Sequence, residues 1–205
     1  METIGIVVFD GVDDLDLVGV ASVLGKAKVC NGTAGGLMLI PTTECDSVTT
    51  GAGLKIENLG CWKDAARCCA LVFPSGAAAV EAEMAPAFAS AARRAANSST
   101  LLCSICSGAF LLSKLGLLAG HHVAVHAKHR SLIESLSACH AHNGFVKDGA
   151  LWSIGGMQDS GYPKSIAMGI VLLEHFWPGL VEDVLARLEL PKRRVDCTTP
   201  ERDLA

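Results

Sequence analysis

The chain has 205 residues, half of them hydrophobic, and a formal net charge of −4 at pH 7. This length suits one domain with a sizeable core, and the acidic balance excludes the basic face that nucleic-acid binding requires. The start of the chain lacks the features of a secretory signal, and no apolar run approaches the length of a membrane span. The sequence therefore predicts a cytoplasmic protein without nucleic-acid or membrane partners.

The first half of the chain alternates short apolar runs with helical segments. Residues 4–9 form a continuous apolar run, which indicates a buried parallel strand. A helix is predicted to begin near Asp13 or Asp14, because acidic residues favour the first turn. The other elements predicted before residue 100 are strands at 35–40 and 70–73, a hairpin around 51–53, and an alanine-rich helix over 77–96.

The second half continues the alternation. Its predicted elements are strands at 101–105 and 122–126, helices at 107–115, 128–137, 165–176 and 180–188, and a hairpin whose strands are 145–147 and 151–154. This order predicts an α/β fold, with a mainly parallel sheet that carries helices on both faces. Residues 1–190 are predicted to form a single domain, followed by a C-terminal tail at 191–205.

Nine cysteines are many for this length, and their odd number and irregular spacing predict free thiols rather than a disulfide framework. Cys106 differs from the others in its position. It ends an apolar strand and is followed by Ser107-Gly108-Ala109 and a helix, which is the order of a nucleophile elbow. The N–H groups at the start of that helix favour a thiolate, and the N–H of Ser107 is placed to bind an oxyanion.

Cys103 and Cys106 also form a Cys-x-x-Cys spacing, which raises the question of a redox pair. Residues three apart in a strand point to opposite faces and lie roughly 10 Å apart. A disulfide needs Cα atoms within about 7 Å. We therefore expect Cys106 to act without Cys103.

The sequence around the elbow resembles the ThiJ/PfpI superfamily, which includes the Parkinson-disease protein deglycase, isonitrile hydratases and PfpI-type peptidases. The resemblance lies mainly in residues 105–112 and 116–120. Weaker similarity is found at 9–19, 72–76 and 125–126, so that the resemblance spans roughly 4–177. It implies a flavodoxin-like sheet of the class I glutamine amidotransferase type, with the site at the carboxyl ends of the strands. It also implies a homodimer.

Two side chains are candidate partners of Cys106. His126 ends the next predicted strand, and adjacent parallel strands bring their carboxyl ends together, so this imidazole is expected to reach the cleft. The resemblance indicates the same histidine. It also implies that Asp16 hydrogen-bonds the Cys106 sulfur, as a protonated donor if burial raises its pKa.

Three other acidic residues compete with Asp16 for this role, and helix capping is the alternative for each of them: Asp10, Asp13 and Asp14. The resemblance further implies that the backbone N–H of Gly76 joins that of Ser107 as an oxyanion donor.

The sequence departs from the family pattern at three positions. Ser75 stands where the family more often has glycine, and Val20 stands where hydratase-like members usually have proline. Ser107 replaces the histidine that follows the nucleophile in the peptidases, which argues against peptidase activity. The dense histidines at 121–122 and 140–142 lack the spacing of a structural zinc site, so no metal and no cofactor are predicted.

These observations predict a cofactor-free enzyme in which Cys106 attacks a small electrophile, as a lyase or hydrolase. Glyoxalase-type conversion of methylglyoxal to lactate is the leading version by resemblance, beside deglycase or hydratase chemistry. One alternative is a redox-sensing or stress-protective protein in which Cys106 is oxidised. Another is an inactive relative retained for a dimer contact.

Overall fold

A computed structural model of the chain describes residues 2–32, 35–156 and 161–200. Six strands form one sheet, in which five are parallel and an edge strand is antiparallel. In spatial order they are β2 (Gly36–Pro41), β1 (Thr3–Val8), β5 (Ala70–Phe73), β6 (Leu101–Ile105), β10 (Leu151–Gly155) and β9 (Gly144–Asp148). Two short ribbons pair β3 (Val48–Thr49) with β4 (Lys55–Ile56), and β7 (His122–Ala124) with β8 (His140–His142).

Helices cover both faces of the sheet, as predicted. They are α1 (Asp14–Cys30), α2 (Pro86–Ala96), α3 (Ala109–Lys114), α4 (Arg130–Ser137), α5 (Lys164–Phe176) and α6 (Val181–Arg187). Cys103 and Ser104 are neighbours on β6 and so point to opposite faces, yet neither has any exposed surface. The central strand is therefore packed on both sides, as the continuous apolar runs of this chain require.

Small residues bring α1 close to α5. A Cβ added at Gly19 would lie 2.3 Å from the Oγ of Ser165, and one at Gly169 would lie 2.8 Å from the Cβ of Val23. Larger side chains at these positions would push the helices apart. This packing fixes α1, whose first turn lies at the carboxyl edge of the sheet.

Two predicted elements differ from the structure. The helix predicted over 77–96 begins only at Pro86, because proline disfavours a helical backbone at the residue before it, and Ala85 is extended. The strand predicted at 122–126 was expected beside β6, but β10 occupies that place. The wholly buried β10 suits a central position, whereas the three-residue β7 forms a ribbon with β8, which the sequence did not predict.

The described part of the C-terminal segment lies along the edge strand. Lys147 N donates to Thr198 O at 2.9 Å, and Thr198 N donates to Phe145 O at 2.8 Å. Val195 is buried, and the Tyr162 hydroxyl donates to the carbonyl of Pro191. The predicted tail is therefore attached to the domain at Pro191, Val195 and Thr198, of which Thr198 pairs with β9. Among the described helices, none combines the length and apolar character needed to cross a bilayer.

Candidate active site

Cys106 lies at a sharp junction between β6 and the 3₁₀ turn Cys106–Gly108, which leads into α3. Its φ is 51°, in the left-handed region that residues other than glycine rarely adopt. Such a backbone costs about 1–3 kcal/mol and persists only where the surroundings impose it. The side chain of Cys106 is half-buried, whereas that of Cys103 is fully buried. The junction has the geometry of a nucleophile elbow.

Gly108 allows the elbow to approach β5. A Cβ at this position would lie 2.0 Å from the carbonyl oxygen of Phe73, which is far inside van der Waals contact. The turn after β5, which contains Ser75 and Gly76, is thereby brought against the 3₁₀ turn of the elbow.

Ser107 joins the elbow to this second turn through its side chain. The N–H of Gly76 donates to the Ser107 Oγ at 3.2 Å, and the same hydroxyl donates to the Gly76 carbonyl at 3.2 Å. The N–H that was expected as a second oxyanion donor therefore already bonds the Ser107 hydroxyl. A Cβ at Gly76 would lie 2.5 Å from the carbonyl of Gly11, so the loop after β1 packs here as well.

Asp16 projects from the first turn of α1 and is only 5% exposed. Its Oδ2 accepts from Ser75 twice, from the backbone N–H at 3.2 Å and from Oγ at 2.5 Å. In the described part of the chain, no hydrogen bond joins this carboxyl to the Cys106 sulfur. Burial raises the pKa of Asp16, and the two Ser75 donors oppose that effect. Because both bonds fall on Oδ2, the other oxygen remains to carry a proton.

The three competing aspartates have structural contacts instead. Asp13 caps α1 by accepting from the N–H of Asp16 at 3.0 Å. Asp14 accepts from the Ala52 N–H at 2.8 Å, and Asp10 accepts from the Thr49 N–H at 2.7 Å. Of the four acidic side chains, Asp16 alone is buried.

His126 follows the ribbon strand β7 and lies at the carboxyl edge of the sheet. The preceding Val125 packs so closely on β10 that a Cβ at Gly155 would lie 2.4 Å from the Val125 Cα. The His126 side chain is exposed, and its Nδ1 accepts from the Lys128 N–H at 3.2 Å. His129, rather than His126, contacts the elbow helix.

His129 is a candidate that sequence reasoning missed. Its ring lies edge-on to Phe110 of α3 with centroids 5.4 Å apart, and 6.3 Å from the ring of His126. Burial, and then the charges of Lys128 and His126, lower its pKa. Ser75 was also missed as the partner of Asp16. A hydroxyl where relatives have glycine was the available signal.

All nine cysteines are free thiols, as predicted. Burial raises the pKa of Cys68 and of Cys69 to about 11, and it raises the pKa of Cys103 and Cys139 as well. These four thiols are poorly ionised near neutral pH. Across residues 2–32, 35–156 and 161–200, no group of three or more His, Cys, Asp or Glu side chains is arranged to hold a metal ion.

The fold and this elbow agree with the comparison to known families. The sequence profile of the DJ-1/PfpI family matches residues 2–160. The chain belongs to the DJ-1/PfpI family.

Individual relatives are more distant. A protein of Streptomyces lividans, described as an uncharacterized protein in the cpoL 5' region, is 29% identical over 128 residues, which cover 62% of this chain and 89% of that protein. A ThiJ/PfpI family protein from Pseudomonas syringae is 20% identical, with a TM-score of 0.76 over 94% of this chain and 76% of that one.

Two further solved structures are similar in fold. Drosophila melanogaster DJ-1beta is 15% identical, with a TM-score of 0.74 over 93% of this chain and 99% of its own. An AraC family transcriptional regulator from Pseudomonas putida is also 15% identical, with a TM-score of 0.75 over 92% of this chain and all of its own. At such identities these structures establish the fold alone.

Proposed function

We propose that this protein is a cofactor-free enzyme in which Cys106 attacks a small electrophile, as a lyase or hydrolase. The observation that carries this proposal is the left-handed backbone of Cys106, with a φ of 51°. Backbone strain of this kind clusters at functional sites, because a strained backbone can direct a side chain where an unstrained backbone could not. The turn after β5 contacts the elbow through Ser107 and Gly108, and the loop after β1 packs on Gly76 of that turn.

The chemistry begins with the sulfur of Cys106. Its thiolate forms a bond to the electrophilic carbon, and an electron pair of that carbon moves onto oxygen or nitrogen. The N–H of Ser107 faces the developing anion, and the Ser107 hydroxyl turns its proton from the Gly76 carbonyl toward it. The Gly76 N–H then acts through the Ser107 Oγ, which it already bonds.

Proton transfer is assigned to two further groups. The acid form of Asp16 supplies a proton to the anion, because burial makes that form more accessible than in a solvated aspartate. His126 moves protons at the solvent side, where its ring is exposed. Family resemblance supports glyoxalase-type conversion of methylglyoxal to lactate as the leading reaction, with deglycase or hydratase chemistry beside it. Both methylglyoxal conversion and isonitrile hydration add one water and need no oxidant.

Redox sensing is the second candidate, because a half-exposed thiol at the same elbow is accessible to peroxide. Peroxide would convert the Cys106 thiolate to sulfenic acid, and a second equivalent would give sulfinic acid. In this reading the strained elbow presents the sulfur to the oxidant rather than to a carbon electrophile.

The decisive experiment assays methylglyoxal, glycated-amine and isonitrile substrates on the wild type, on Cys106→Ala and on Cys103→Ala. Cys103 is the matched control, since it is a buried cysteine on the same strand. Turnover that Cys106→Ala loses and Cys103→Ala retains is expected. Turnover that persists in Cys106→Ala would contradict the proposal that Cys106 is the nucleophile. Absent turnover with selective peroxide oxidation of Cys106, read by mass spectrometry, would favour redox sensing. If neither turnover nor selective oxidation of Cys106 is observed, the protein is an inactive relative of the family's enzymes.

We also propose that the protein is a cytoplasmic homodimer. Leu15 and Val18 lie three residues apart on α1 and are 58% and 53% exposed, and Leu54 is exposed on the ribbon beside the start of that helix. A second copy would cover these apolar side chains. Light scattering at micromolar concentration should give twice the 21.3 kDa mass of the chain, and Leu15→Asp should reduce it. A wild type that scatters as a 21.3 kDa monomer would contradict the dimer.

A further inference from the structure

Three histidines lie together on one face of the β7–β8 ribbon. The two strands are parallel, with His122 opposite His140 and Ala124 opposite His142. His140 and His142 are two residues apart on one strand, so both side chains point to the same face. The His122 ring stacks on both, with centroids 4.8 Å from His140 and 4.9 Å from His142. No metal-site spacing is visible along the chain here, because the cluster depends on the pairing of β7 with β8.

Two of these rings bring nitrogen atoms together. The Nδ1 of His122 and the Nε2 of His142 are 2.8 Å apart. Imidazole nitrogens bind divalent transition metals at about 2.0 Å. Two such nitrogens at right angles around one ion are therefore roughly 2.8 Å apart, whereas in a tetrahedral site they are roughly 3.3 Å apart. Right-angled, tetragonal coordination is typical of divalent copper and nickel, and imidazole is among their preferred ligands. We propose that His122 and His142 chelate one divalent copper or nickel ion.

The surroundings allow solvent to complete the coordination. His140 is exposed, and His122 and His142 are half-buried, so water can reach the two nitrogens. With no ion bound, one ring donates its proton to the other across the 2.8 Å contact. To bind the ion, that ring moves the proton to its other nitrogen, and both rings turn away from facing each other so that each directs a lone pair to the metal.

The charge next to the site limits how tightly an ion binds. Arg130 is positively charged and interacts electrostatically with His142, so it weakens the binding of a metal cation there. We therefore expect moderate rather than tight affinity.

Neighbouring residues hold the ribbon in place without being ligands. The carboxylate of Asp148 accepts from the backbone N–H of His122 at 3.0 Å, and that of Glu134 accepts from the Ala141 N–H at 2.9 Å. Cys139 directs its sulfur inward to the Ile133 carbonyl, so no thiol faces the histidines from that position. His140 stacks on His122 and contributes no nitrogen to the close pair, which makes it the matched control.

The test titrates nickel and copper chlorides into the full chain after its thiols have been blocked with iodoacetamide, with calorimetry as the readout. One ion per chain is expected. His122→Ala and His142→Ala should each weaken binding by about tenfold or more. His140→Ala and His175→Ala, the latter exposed on α5, should remain within about threefold of the wild type, and circular dichroism should match in all variants.

Copper bound to the wild type should also show electron paramagnetic hyperfine splitting from two nitrogens, a readout that needs no variant to fold. Unchanged affinity in the His122→Ala, His142→Ala double variant would overturn the proposal. So would a spectrum without imidazole nitrogen, or an equal loss in His140→Ala.

Discussion

Two aspartates are buried to almost the same extent at opposite edges of the sheet, and their partners differ. Asp16 is 5% exposed and lies at the carboxyl edge, where the N–H and hydroxyl of Ser75 donate to it. Asp148 is 3% exposed and ends β9 beside the amino end of β10. Its Oδ2 contacts the Nδ1 of His121 at 2.8 Å and accepts from the His122 N–H at 3.0 Å.

The difference lies in the groups that contact each carboxylate. The Asp148 carboxylate contacts the His121 imidazole and accepts from the His122 N–H, so it connects β7 to the hairpin of β9 and β10. Among the residues that the structure describes, the donors in direct contact with Asp16 are neutral, while the Lys164 ammonium acts from further away. The first arrangement joins two parts of the fold, whereas the second favours the protonated form of Asp16, which is the form that the proposed mechanism requires. Burial alone therefore does not identify a catalytic carboxyl, and its partners must be examined.

Removal of Asp148 should produce the larger change in stability. Asp148→Ala leaves the His122 N–H and the His121 ring without this acceptor, and hydrogen bonds to a charged group are worth about 1.5–3 kcal/mol. We expect the free energy of unfolding in urea to fall by about 2–3 kcal/mol. Asp46→Ala, at an exposed aspartate, is the control and should stay within about 0.5 kcal/mol of the wild type. An equally small change in Asp148→Ala would mean that the contact contributes nothing to the fold.

The features that the sequence predicted correctly are local. The apolar runs and intervening helices establish the parallel sheet, and Asp148-Gly149 between two short strands establishes the hairpin of β9 and β10. The elbow also depends on neighbouring residues, because a strand end followed by small residues and a helix start is visible along the chain. The place of Cys106 at the elbow, which no other of the nine cysteines shares, could therefore be recognised without any structure.

The features that the sequence missed join distant residues. Ser75 and Asp16 are 59 residues apart, so the sequence around either residue does not indicate the hydrogen bond between the hydroxyl and the carboxyl. Asp148 could be interpreted only as a turn residue, since its contact with His121 spans 27 residues. The place of β10 beside β6 likewise depends on which strand fills the centre of the sheet, and two short apolar runs compete for it.

A smaller effect is expected at Asp16, and it should vary with pH. Because burial raises the pKa of Asp16, the folded protein binds this proton more tightly than the unfolded chain does. As the pH rises from about 3.9, the ordinary aspartate value, the unfolded chain loses its proton first. The free energy of unfolding therefore falls until the folded-state pKa is passed, and it stays lowered above that point. The hydrogen bonds from Ser75 lower the pKa of Asp16 and so act against the effect of burial, which reduces this loss of stability.

Asp16→Asn removes the titration and retains an oxygen that can accept from Ser75. The difference in unfolding free energy, variant minus wild type, should therefore increase with pH from about 3.9 upward and then level off. Urea titrations from about pH 3.5 to about pH 7 measure it, and Asp46→Asn, which is exposed, should give no comparable slope. A difference that falls with rising pH would show that the folded protein favours the carboxylate, and Asp16 would then resemble a paired structural aspartate. Under the expected slope, Asp16→Asn gains stability relative to the wild type as the pH rises to neutral. The same urea titrations give its absolute stability at that pH, so a loss of turnover in a folded variant reflects the missing proton rather than unfolding.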